Sequence, residues 1–120
     1  MRYNIRLYNS ADTLIRGVSQ WDVDREIKVK GLDVESAPII RVWNAKSEAA
    51  AVLDASIDGE YVVFALPNDL LQYAIDIRVA VVMKNGDEYM TICRFTIPVA
   101  AQMKPENYDD TLPSDNNNGD

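Results

Sequence analysis

Apolar and polar residues alternate with a period of two through much of the first hundred positions, the repeat of strands that bury one face. Tyr3, Ile5 and Leu7 alternate with Arg2, Asn4 and Arg6. Ile27 and Val29 alternate with Lys28 and Lys30, and Ile40 and Val42 with Ile39, Arg41 and Trp43. The pattern predicts strands over residues 2–7, 26–30 and 39–44. A turn is expected at Asn9-Ser10-Ala11-Asp12, with a further strand over residues 13–18 pairing back on the first. Gly31 closes one strand, and Pro38 ends the loop before the next by fixing its own φ. Residues 45–51 suit a helix by propensity but are too few to hold one.

Two stretches carry hairpin signals. Val52 to Ile57 and Glu60 to Leu66 flank Asp58-Gly59, and two runs rich in β-branched residues between Ile75 and Val99 flank Lys84-Asn85-Gly86. Between them, Pro67-Asn68-Asp69-Leu70-Leu71 reads as a single helical turn capped by Asn68. For the second hairpin the apolar pattern favours a three-residue loop with Gly86 in the left-handed conformation. Val81 then faces Tyr89, Val79 faces Thr91, Ile77 faces Cys93, Ile75 faces Phe95, and Asp76 lies across from Arg94. A two-residue Asn85-Gly86 loop would instead set Ile77 against Arg94 and Asp76 against Phe95. Seven or eight short strands without a long helix favour an all-β, antiparallel, Ig-like sandwich, because parallel strands need longer crossovers.

Composition places this sandwich in residues 1–104 and an extended acidic tail in residues 105–120. The net charge is −7, yet five acidic residues and no basic ones lie from Pro105 onward, which leaves −2 for the rest. That balance argues against nucleic acid, whose phosphates are met by clustered Lys and Arg. No apolar run approaches the ~20 residues that span a bilayer, and Met1-Arg2-Tyr3-Asn4 lacks a signal-peptide core, so no membrane association is expected. A tail with so few apolar residues is expected to find support on a neighbouring chain.

The chemistry-bearing residues are sparse. The chain has no histidine, the commonest general base and metal ligand, and Cys93, its single cysteine, falls on an apolar strand face. Asp22, Asp24 and Glu26 recur at a spacing of two and would share a strand face able to hold Ca²⁺. Their neighbours Arg25, Lys28 and Lys30 favour a solvated edge instead. The run Asp115-Asn116-Asn117-Asn118-Gly119-Asp120 superficially follows a calcium loop, but its glycine is one place early and no Glu follows. Trp21 and Trp43 are expected in the core or at an interface, with a sugar-stacking platform as the alternative. No enzyme, cofactor or metal is expected.

Four motifs carry a resemblance: Gln20-Trp21-Asp22, Val42-Trp43-Asn44-Ala45, Leu66-Pro67-Asn68-Asp69-Leu70-Leu71-Gln72, and Ile97-Pro98-Val99 followed by Lys104-Pro105-Glu106-Asn107-Tyr108. In this order they resemble the small N-terminal β-sandwich module of tail, baseplate and fibre proteins from phages of Gram-positive and gut bacteria. The resemblance implies a non-enzymatic virion component, assembled in the host cytoplasm, whose partners are other virion proteins and further copies of itself. In that family the Lys-Pro-Glu-Asn-Tyr stretch looks like the exit from the bead. This sequence stops about a dozen residues after Tyr108, as expected of a stand-alone decoration or head-fibre protein, or of a piece of a longer fibre. On this reading the partner-binding residues are Met103, Lys104, Pro105, Tyr108 and Leu112, with Tyr108 as anchor. The alternative is a carbohydrate-binding module at a bacterial surface.

Overall fold

The computed structural model describes residues 6–9, 18–32 and 34–108. Eight strands run in chain order: β1 (Arg6–Asn9), β2 (Glu26–Lys30), β3 (Ile39–Trp43), β4 (Ala51–Asp54), β5 (Ser56–Asp58), β6 (Tyr61–Ala65), β7 (Ile77–Asn85) and β8 (Glu88–Ile97). A short 3₁₀ helix, Asn68–Gln72, precedes β7. The strands form two antiparallel sheets, β1-β2-β6-β5 and β4-β3-β7-β8. This is the order of an immunoglobulin-type sandwich, in which strands A, B, E and D face a second sheet of C, F and G, here with one extra strand beside C. The all-β, Ig-like expectation is correct.

Alternation decides which residues meet between the sheets. Ile27, Val29, Val62 and Phe64 point inward from the first sheet, and register pairs Ile27 with Phe64 and Val29 with Val62. Ile40, Val42, Leu53, Ile77, Val79, Val81 and Ile97 face them from the second sheet, with Ile40 beside Val81 and Val42 beside Val79. Leu66, Leu70 and Leu71 close one end. Each such side chain, fully buried, contributes roughly 1.5–3 kcal/mol.

The hairpin registers differ from those the pattern predicts. Asn85 pairs with Glu88, so the loop is Gly86-Asp87, neither Asn85-Gly86 nor a three-residue loop. Likewise Asp58 pairs with Tyr61, leaving Gly59-Glu60 as the loop. Both glycines have positive φ, +66° and +63°, at the first central position, where a type II′ turn takes glycine and matches the strand twist. The β7–β8 ladder therefore slides: Ile77 faces Ile97, Val79 faces Phe95, Val81 faces Cys93, and Ala80 rather than Asp76 lies across from Arg94. The slide is an even number of residues, so Ile77, Val79 and Val81 still share a face with Cys93 and Phe95. A register shift between Val81 and Val82 leaves Ile92 unpaired, a β-bulge that turns the loop end of the hairpin over.

Other departures have equally local causes. The run Val52 to Ile57 is not one strand: β4 pairs with β3 and β5 with β6, so the chain changes sheets at Ala55. β1 reaches Asn9, where a turn was expected, and pairs with β2. The predicted strand over residues 13–18 lies outside the described residues except for Val18, which is buried and belongs to no strand. Asn68 does not cap its helix; its Oδ1 accepts a hydrogen bond from the Asp24 amide at 2.9 Å.

Candidate functional site

Two places gather side chains beyond what the core needs. The first begins at Ser19-Gln20-Trp21-Asp22, a tight turn in which the Asp22 amide donates to the Ser19 carbonyl at 3.1 Å. Trp21 is its third residue and has φ +74°, the sign a type II turn requires there and one that favours glycine. Holding a bulky residue so costs on the order of 1–2 kcal/mol. The surrounding bonds hold it. The Trp21 amide donates to the Leu71 carbonyl at 2.6 Å and the Gln20 amide to Ala100 at 2.7 Å, while the Ala100 amide returns to Val18 at 3.1 Å. Asp22 Oδ2 accepts from the Ser19 amide at 3.0 Å and pairs with Arg25.

The Trp21 ring is thereby presented to the segment after β8. Its Nε1 donates to the Gln102 carbonyl at 2.9 Å. Tyr108 meets the indole edge to face, with centroids 5.1 Å apart and planes inclined by 69°. Gln72 Nε2 donates to the Tyr108 hydroxyl at 3.2 Å, and Gln20 Nε2 to the Gln72 carbonyl at 2.9 Å. Lys104 Nζ lies 5.4 Å from the Trp21 centroid and 5.7 Å from that of Tyr108, within cation–π range of both. These residues form a clasp that binds residues 102–108 to the sandwich.

Of the five residues expected to meet a partner, Lys104 and Tyr108 are brought together here, on Trp21 of their own chain. Pro105 is half-buried, and its carbonyl accepts from the Tyr108 amide at 3.2 Å. Met103 points away and is 89% exposed. Leu112 lies outside the described residues, as does the run 115–120.

The second place is the outer face of the β4-β3-β7-β8 sheet, an open groove of about 640 Å³. Arg41 and Arg94 both pair across Ala80, one from each side, and Arg78 pairs with Trp43 and Thr96 in the adjacent outward-facing row. Neighbouring strands lie ~4.8 Å apart and alternate residues ~6.8 Å, so the three Cα positions form a triangle with sides of roughly 8–10 Å. Ala80 is its floor, and its single methyl leaves the hollow. Arg41 lies 5.6 Å from the Tyr89 ring, whereas among the described residues Arg78 and Arg94 have no ion-pair or hydrogen-bond partner. Glu48 is the one acidic residue in the lining. Beside it Val52, paired with Arg41, and Tyr89 are exposed apolar side chains.

Neither tryptophan fills the inter-sheet space, as large aromatics commonly do. Trp43 shares the outward parity of Arg41, and Trp21 belongs to the clasp, so both are half-buried. Cys93 packs partly against the core, and that burial pushes its thiol above the ordinary 9.0. Asp22 is used within its turn, and among the described residues no three His, Cys, Asp or Glu side chains gather as metal ligands would. Nor does any helix among them have the length and apolarity to cross a membrane. The groove arginines escaped sequence reading because their proximity depends on the register of three strands; their outward parity was the available signal.

No match to this chain was found among protein-family models, curated proteins or solved structures.

Proposed function

We propose that the chain is a non-enzymatic structural module of a bacteriophage virion, an Ig-like bead that assembles with other virion proteins and with copies of itself. The observation that carries this reading is the convergence of three of the four resemblance motifs on the clasp. Gln20 and Trp21 come from the first, Leu71 and Gln72 from the third, and Lys104 and Tyr108 from the last. A bead whose most elaborate side-chain network fixes how the chain leaves it is suited to carrying something at that exit. The outer sheet face, with exposed apolar residues around a basic hollow, adds a surface suited to protein contact.

The test is the composition of purified particles of the phage that encodes the chain. Quantitative mass spectrometry should find it as a stoichiometric component, with a copy number matching a symmetry element in particle images. Particles complete without it would reject the proposal.

Trp43 in the groove supports a second reading, a carbohydrate-binding module in which that indole stacks on sugar; Trp21 is already covered by Tyr108 and Lys104. Iodide quenching separates the readings. A glycan that binds must shield the Trp43 emission, and unchanged quenching across a glycan panel removes this alternative.

A further inference from the structure

We infer that the arginine groove is the docking site for the acidic C-terminal segment, residues 109–120, of a second copy of the chain. The inference rests on the self-assembly reading above and specifies its contact. Two observations meet. The groove holds three arginines against one glutamate, and Arg78 and Arg94 have no acidic partner among the described residues. The segment 109–120 holds Asp109, Asp110, Asp115 and Asp120 and no basic residue. Guanidinium and carboxylate pair through two parallel hydrogen bonds, which favours arginine over lysine for such recognition.

Spacing fits as well as sign. An extended chain advances ~3.3 Å per residue and returns to the same face every second residue, so Asp110 and Leu112 share one face about 7 Å apart, the spacing of the two outward rows of the groove. Asp110 then meets the row of Arg41 and Arg94, and Leu112, the only large apolar residue of the segment, meets Trp43 in the row of Arg78. The contact joins one surface of a copy to a different surface of the next. Such heterologous contacts close into rings or propagate as filaments, and a fibre or a symmetric collar is built from them.

The experiment is sedimentation velocity on the full chain over a range of concentrations, beside two variants: Arg78→Glu with Arg94→Glu, and Asp109, Asp110 and Asp115 each changed to Lys. The wild-type chain should associate, with affinity falling about tenfold or more between low and physiological-to-high salt, as exposed charge pairs do. Each variant alone should sediment as a monomer, and an equimolar mixture of the two should regain association. A synthetic peptide of residues 109–120 should dissociate the wild-type assembly, and its Asp-to-Asn version should not. The Lys variant leaves every groove residue unchanged, so it reads the contact even where the groove variant unfolds.

A wild-type chain that stays monomeric at every concentration overturns the inference and assigns the segment, if the variants alter its own amide signals, to its own groove. Association that survives both variants overturns it too. Such association leaves self-assembly standing, whereas a monomeric chain removes self-assembly as well; placement in the virion is separate from both and fails on particle composition instead.

Discussion

The clasp and the groove are made of the same materials, aromatic rings and cations, and differ in whether those groups are satisfied. In the clasp Lys104 lies over two rings, Trp21 Nε1 has a carbonyl, and the Tyr108 hydroxyl has the Gln72 amide. In the groove Arg78 and Arg94 find no acid among the described residues, and Val52 and Tyr89 stand exposed on the same face. Interactions closed within one chain stabilise that chain. Interactions left open are where a second molecule gains, so stability should reside at the clasp and association at the groove.

The largest effect expected is at Trp21. Trp21→Ala should lower unfolding stability by about 2–4 kcal/mol, less than a fully buried tryptophan would, as read by urea denaturation. Trp21→Gly should recover roughly 1 kcal/mol of that loss, because glycine adopts φ +74° without strain. If both variants unfold at the wild-type midpoint, the clasp does not stabilise the chain. Asn68→Ala should cost about 1–2 kcal/mol by leaving the Asp24 amide without its acceptor, again by urea denaturation.

Substitution of the groove should do the opposite. Arg78→Glu with Arg94→Glu should change stability by no more than about 0.5 kcal/mol, since neither side chain has a partner to lose among the described residues. A larger destabilisation would show that the two regions are not separable. The smallest effect concerns Cys93. Its folded-state thiol titrates above the unfolded one, so its contribution is complete below the unfolded pKa and is lost as pH climbs through the raised folded value. Cys93→Ala should therefore flatten stability against pH in the alkaline range while leaving it unchanged in slope near neutrality.

Much of the fold was legible because it depends on neighbours along the chain. Period-two alternation placed β2 and β3 and set Ile27 with Val29, and Ile40 with Val42, on shared faces, and the Asp58-Gly59 signal placed β6. Register was less legible, since Asn-Gly and Asp-Gly mark where a hairpin turns without fixing which two residues form the loop. Here glycine takes the first place, and the bulge at Ile92 resets parity between loop and base. The change of sheet at Ala55 left no trace in a run that reads as one strand. The clasp was the least legible, because Trp21 and Gln102 stand 81 residues apart, with β2 to β8 between them along the chain.

The bridge between Ser19 and Ala100 is parallel, and it lies between β8 and the clasp. Tension applied beyond Tyr108 therefore reaches the Trp21 ring and the bonds of Gln20 and Gln102 before it reaches β8. Those links stand between a pull at that end and the β7–β8 ladder, and have to open before the ladder is loaded.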